Sequence, residues 1–368
     1  MVDWTNSKME RKEKKIVLIV INGLGGGGSQ RNVSIIANHF SSCNHEVHIA
    51  VLLDPCKSFY ELDENIRVHY IVKNNRSFKS HRYWIKKIKS IIKECNVETV
   101  IAIGYRFGLL CSLCINKKNK LIIRGTITRK MSCKDKILFL LKKRKIKTIV
   151  SQTDSQKEMY PAFLKKKIIT IPNPFDVFDS NMNNGGYESK RFICVGRLFL
   201  EQKRQDYIIK SMIPFFIKHP DYSLEFYGEP QIDDDGSTLA YLNTLISQNN
   251  LSKNIRINAP TKNIWDIAIP STAFLCASTR EGMPNALIEA MLRGVVPVST
   301  CWDGCKEIIN DKINGLLISD DKGNAFSLAL DELISDKDNY LRMSNNSSFL
   351  SKSKYKKDYI LEKWDKLL

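Results

Sequence analysis

The chain has 368 residues, 43% of them apolar, which excludes a disordered polymer and is more than one ordinary core holds. Its formal charge is +18, and no apolar run approaches the length needed to cross a bilayer, so a chain that stays in the cytoplasm is expected. Ten cysteines are scattered along it, and Cys111 and Cys114 form one C-x-x-C pair without a matching second pair. Buried free thiols, not disulfides or zinc, are the expected state.

Met1 to Lys15 is polar and charged, and the apolar run that follows breaks at Asn22-Gly23, too soon for a signal sequence. Ile16 to Asn22 reads as a buried strand, Gly23 to Ser29 as a glycine-rich turn, and Arg31 to Phe40 as a helix. Gly27 and Gly28 let the backbone approach a phosphate or sugar with no Cβ in the way, although four glycines also make a flexible turn. Further strand-like runs at Val47–Leu53, Val100–Ile103, Leu121–Ile123 and Thr148–Val150 alternate with helical stretches. The alternation restarts at Phe192–Val195 and continues through Ser223–Tyr227, Ile255–Asn258, Phe274–Ala277 and Val295–Ser299. This is the pattern of doubly wound α/β sheets, in two Rossmann-like halves with a cleft between them.

The charge is unevenly placed. Lys73 to Lys147 holds 22 Lys and Arg against Glu94, Glu98 and Asp135, so this segment supplies the whole net positive charge. Within it Trp84, Ile85, Ile88, Ile91 and Ile92 recur at helical spacing among basic residues, and the apolar run Ile137 to Leu141 precedes Lys142-Lys143-Arg144-Lys145. Basic amphipathic stretches suit an anionic membrane surface. Nucleic-acid binding is the competing reading of the same charge, but no recognition helix, zinc finger or aromatic RNA-reading motif accompanies it. A nicotinamide dehydrogenase is a third reading, and Gly23 to Gly28 lacks a clean G-x-G-x-x-G.

Ser278 to Ser299 is the most informative stretch. Thr272 to Ala277 reads as a buried strand, a polar loop carries Glu281 and Gly282, Pro284 suits the first helical position, and Gly294 suits the C′ position. The free N–H groups of Met283, Asn285 and Ala286, on either side of Pro284, then open at the carboxyl end of a strand, a ready-made anion site. Glu281 and Glu289 bracket that site and can bind hydroxyl groups on either side of a phosphate, which is what a nucleotide-sugar needs.

Glu281, the segment Gly-Met-Pro-Asn-Ala-Leu-Ile and Glu289 resemble the E-x7-E signature of glycosyltransferase family 4, retaining sugar transferases of the GT-B fold. Gly27-Gly28-Ser29-Gln30-Arg31, Gly196-Arg197-Leu198, Lys203, Ile171-Pro172-Asn173-Pro174, Asp303 to Ile309 and Asn314-Gly315-Leu316-Leu317 are similar to further family segments in the same order. The resemblance implies two Rossmann-like domains facing each other across a cleft. Residues 1–172 would bind acceptor, 173–350 would bind nucleotide-sugar, and a helix in 351–368 would pack back toward the first domain. It also implies a hexosyltransferase that needs no metal or other cofactor. Glu281 would hold the sugar ring, Glu289 the ribose, and Arg197 with Lys203 the diphosphate, whose departure requires permanent positive charge.

Lys203 is preferred to Arg204 on its Lys-Arg-Gln-Asp context. Many members carry a histidine after the fourth strand, where this chain has Arg124: a donor or acceptor ligand, or a paired charge at a strand end. No catalytic role is assigned to Glu307. The implied partners are a UDP-hexose or UDP-N-acetylhexosamine, a lipid-linked glycan acceptor as in O-antigen or capsule assembly, and the inner face of the cell membrane, with no nucleic acid.

Overall fold

The β-branched runs form buried parallel strands. The computed structural model describes residues 13–54, 56–72, 78–125, 131–177, 182–230, 234–261, 263–319 and 323–368. Most of the charged start of the chain, the Lys73 end of the basic segment and residues 126–130 lie outside the described residues.

Two compact units are present: one contains the described residues up to Ser151 with Tyr160–Ile171 and Leu361–Leu368, the other Gln152–Met159 and Pro172–Ile360. In the first unit the strands are β1 (Ile16–Ile21), β2 (Glu46–Val51), β3 (Arg67–Tyr70), β4 (Thr99–Ile103), β5 (Lys120–Arg124), β6 (Thr148–Ser151) and β7 (Ile168–Thr170). Among the described residues they form one parallel sheet in the order β3-β2-β1-β4-β5-β6-β7. The second unit holds β8 (Arg191–Val195), β9 (Ser223–Tyr227), β10 (Ile255–Asn258), β11 (Ala273–Cys276), β12 (Val296–Thr300) and β13 (Leu316–Ile318), parallel and in the order β10-β9-β8-β11-β12-β13.

Parallel sheets are covered on both faces, so their strands read as continuous apolar runs. Phe192 and Ile193, adjacent on β8, are both fully buried and belong to different cores. Phe192 packs with Ile208, Phe215 and Leu330, whereas Ile193 packs with Phe274, Leu287 and Met291. In each sheet the strand order runs outward both ways from the first strand, so the connections diverge between β1 and β4 and again between β8 and β11. Loops at the carboxyl ends of such a switch point leave a crevice for ligands.

The basic segment divides into two different helices. In Phe78–Glu94 the apolar stripe of Trp84, Ile88, Ile91 and Ile92 is buried in the core of the first unit, so the expected membrane-facing stripe is a packing stripe. In Cys133–Lys142 only Phe139 is buried, while Ile137, Leu138, Leu140 and Leu141 are exposed. Among the described residues no helix is long and apolar enough to cross a membrane. All ten cysteines are free thiols, and burial pushes Cys111 well above its usual range and Cys114 up to about 12.

Candidate active site

The site in the second unit is built from the loops that leave β8 and β11, the two strands flanking its switch point. After β8 the chain turns through Gly196, at φ 154°, where a Cβ would sit 3.6 Å from Lys203 Cε and Nζ. The next residue, Arg197, is exposed, and among the described residues its guanidinium makes no hydrogen bond or ion pair. Its carbonyl accepts from Gln205 Nε2 at 2.8 Å, which fixes the backbone beneath it. A short helix, Leu200–Lys203, follows, and Arg204 leaves it in the left-handed conformation, its guanidinium 4.3 Å from the Tyr207 ring. Lys203 and Arg204 therefore have different partners, Lys203 the β11 loop and Arg204 the Tyr207 ring.

That loop is sewn to the short helix. Thr279 N–H donates to Gln202 O at 2.8 Å, Gln202 Nε2 donates to Arg280 O at 3.0 Å, and Thr279 Oγ1 donates to Glu201 O at 3.2 Å. Lys203 Nζ donates to Glu281 Oε1, which also accepts from Ser278 Oγ at 2.7 Å. The Glu281 side chain is 9% exposed and that of Lys203 24%. Burial opposes the Lys203 charge, but the Glu281 carboxylate beside it outweighs that, and the ammonium is held above the usual lysine range. The two loops thus present a fixed carboxylate–ammonium pair with a free guanidinium one residue beyond Gly196.

The helix after this loop spans Asn285–Leu292, and Pro284 stands at its N-cap with no side chain capping the helix. Pro284 is thus one position earlier than expected, and among the described residues no side chain caps the first-turn amides. Gly282 O accepts from Gln156 Nε2 at 3.1 Å, Met283 Sδ accepts from Asn173 N–H at 3.2 Å, and Asn285 Oδ1 accepts from Asn173 Nδ2 at 2.6 Å. Asn173 is 3% exposed and also accepts from Gln152 Nε2 at 3.1 Å, so the Pro172-Asn173-Pro174 segment is a buried brace for the helix start. Ala286 is half-buried in the first turn. At the far end Gly294 N–H donates to Met291 O and Val295 N–H to Ala290 O, a Schellman closure with Gly294 at φ 87°.

Glu289 lies on the same helix, 8% exposed, and its Oε2 accepts from the Trp265 indole N–H at 2.7 Å. Trp265 and Asn173 were not legible as site residues, because each meets the helix only through the fold. Glu307 accepts the backbone N–H of Asp154 at 2.7 Å and of Ser155 at 2.6 Å.

In the first unit, the helix after β1 spans Gly28–Ser42, three residues longer at its start than expected. Gly27 is its N-cap at φ 145° and Gly28 its first residue, at the carboxyl end of β1. Arg124 ends β5 and is 1% exposed. Its guanidinium lies 5.2 Å from the Trp364 ring, with Nε 2.8 Å from the Asn32 side-chain oxygen, and burial lowers it to about 9, still charged at neutral pH.

Residues 179–348 match the family described as Glycosyl transferases group 1. The matched stretch contains Arg197, Lys203, Glu281 and Glu289. Over 96% of this chain and 100% of its own length, an uncharacterized glycosyltransferase of Haemophilus influenzae is 26% identical. A Campylobacter jejuni protein named as a GalNAc-alpha-(1->4)-GalNAc-alpha-(1->3)-diNAcBac-PP-undecaprenol alpha-1,4-N-acetyl-D-galactosaminyltransferase is 23% identical over 96% of this chain and 98% of its own. The crystal structure of Anabaena Alr3699/HepE in complex with UDP and glucose covers 96% of this chain and 99% of its own, with a TM-score of 0.77 at 13% identity. The two-sheet architecture is that of GT-B glycosyltransferases.

Proposed function

We propose that this chain is a family 4, retaining glycosyltransferase that moves a hexose or N-acetylhexosamine from a UDP-sugar to a lipid-linked glycan in bacterial surface-polysaccharide assembly. The observation that carries the reading is the Lys203–Glu281 pair beside the unpaired Arg197 guanidinium, at the carboxyl ends of β8 and β11. Arg197 and Lys203 would hold the diphosphate with the open amides at Asn285 and Ala286, and stabilise the charge it gains on departure. Glu281 orients Lys203 and faces the sugar, while Glu289 takes the ribose hydroxyls. The acceptor hydroxyl attacks on the face the diphosphate leaves, and the departing phosphate takes its proton. Fixed cations stand where a metal would otherwise neutralise the leaving group, so the transfer step needs no divalent ion. Gly27 and Gly28 give the donor a close backbone approach in the first unit.

Support for the donor comes from the UDP and glucose bound by the Anabaena protein, and for the acceptor from the diphospho-undecaprenol glycan in the Campylobacter protein's name. The anionic membrane surface that such an acceptor occupies would be met by Cys133–Lys142 and the basic residues after it. The test is incubation of the purified chain with lipid-linked acceptors and a panel of UDP- and GDP-sugars, without Mg2+ or Mn2+, read by mass spectrometry and anomeric NMR. A product of retained configuration is expected. Inverted configuration, or strict dependence on added metal, would refute the reading.

A further inference from the structure

On the first unit's sheet, β2 and β3 are paired with His48 opposite Arg67 and Ala50 opposite His69. Residues two apart on a strand share a face, so His48, His69 and Glu46 project to the same side. The helix Phe78–Glu94 ends immediately before Cys95. One ligand atom each from His48, His69 and Cys95 lies within 4.8 Å of the others. His48 is fully buried and the other two half-buried.

The hydrogen bonds define the protons. His48 Nε2 lies 3.2 Å from Glu46 Oε1, and His48 Nδ1 lies 2.9 Å from His69 Nε2. An ionised carboxylate only accepts, so His48 carries its proton on Nε2 and presents an unprotonated Nδ1. A histidine whose outer nitrogen is held by a carboxylate is the arrangement seen behind zinc ligands. Two imidazoles and a thiol match the nitrogen and sulfur preference of Zn2+.

We infer that His48, His69 and Cys95 form a zinc site that ties edge strand β3 to the end of the Phe78–Glu94 helix. Binding shifts the His69 proton from Nε2 to Nδ1 and releases the Cys95 thiol proton to solvent, leaving two neutral imidazoles, one thiolate and a water as ligands. Ligand atoms around tetrahedral zinc sit roughly 3.3–3.8 Å apart, so small side-chain rotations from the metal-free geometry suffice. The cluster draws on Cys95, before the amino end of β4, whereas Gly27 and Gly28 follow the carboxyl end of β1. It therefore has a structural role, separate from a transfer step that needs no metal, and it adds a metal to a chain whose sequence gave reason to expect none.

The full-length chain, stripped of metal by a chelator and dialysed, is titrated with Co2+ and then Zn2+. The expected result is one Co2+ per chain with a thiolate-to-cobalt charge-transfer band that Zn2+ abolishes. Cys95→Ser should lose that band, and Glu46→Gln should weaken Zn2+ binding by about 10–100-fold. A second cluster, His39, Cys43 and Asp365, supplies the control: Cys43→Ser should leave the band intact. Absence of the band in the unsubstituted chain overturns the inference, as does its loss in Cys43→Ser. Zinc-edge X-ray absorption of the unsubstituted chain needs no variant: one sulfur and two imidazoles are expected, and a shell without sulfur overturns the site.

Discussion

Glu281 and Glu289 are eight residues apart in sequence and differ in what holds them. Glu281 accepts from Lys203 and Ser278, whereas Glu289 accepts from the buried Trp265 indole. Glu281→Gln keeps an acceptor for Ser278 but removes the charge that holds Lys203, so kcat should fall by about two orders of magnitude or more. Steady-state kinetics on a folded variant check this, and an unchanged kcat would remove Glu281 from the site. At Glu289 the informative change is Gln rather than Ala, because Ala would strand the indole N–H of Trp265, itself 7% exposed. Glu289→Gln should raise the donor KM with a smaller effect on kcat, since ribose contacts are nearly equal in ground and transition states. Arg197→Ala and Lys203→Ala should each lower kcat about 100-fold, as expected for removing one preorganised donor to developing charge.

At the scale of elements, the Asn285–Leu292 helix is fixed at both ends, by Asn173 at its start and by Gly294 at its close. Gly294→Ala forces a Cβ into the left-handed region, at about 1–2 kcal/mol. For a unit of this size that lowers Tm by roughly 2–4 °C per kcal/mol, and calorimetry of the variant measures it. The same elements show what local sequence carries. The runs at Ser223–Tyr227 and Ile255–Asn258 coincide with strands to the residue, since unbroken apolar or alternating segments announce themselves. β3 and β7 were not expected: they are four and three residues long, and β3 reads Arg-Val-His-Tyr with both ends exposed. Edge strands like these are defined by pairing with a neighbour, which no short window of sequence contains. The same reason hid Trp265 behind Glu289 and Asn173 behind the start of that helix. His48, His69 and Cys95 show none of the short spacings that advertise a metal site.

Over the whole molecule, the decisive question is where the positive charge of residues 73–147 is spent. Sequence periodicity made the Phe78–Glu94 and Cys133–Lys142 helices look alike, but burial separates them. Trp84 is 1% exposed and faces the core, whereas Leu141 is 70% and Ile137 60% exposed. Among the described side chains of the two helices, the large exposed apolar ones lie on the second, and Lys143, Arg144 and Lys145 follow it, all exposed. Each cation near an anionic surface is worth on the order of 1 kcal/mol, and attraction between exposed charges is screened beyond about 8 Å at physiological salt. Two separable variants follow. Reversing Lys142, Lys143, Arg144 and Lys145 to Glu should abolish the salt-sensitive part of binding to anionic vesicles. Ile137→Ser with Leu141→Ser should weaken the part that survives high salt, while donor affinity stays unchanged in both. Co-sedimentation with anionic and zwitterionic vesicles, alongside a labelled oligonucleotide at matched salt, reads the outcome. Binding to the oligonucleotide with no vesicle binding at low salt would assign the patch to nucleic acid and remove the membrane from the proposal. Equal loss of donor affinity in both variants would place this helix in the catalytic machinery instead.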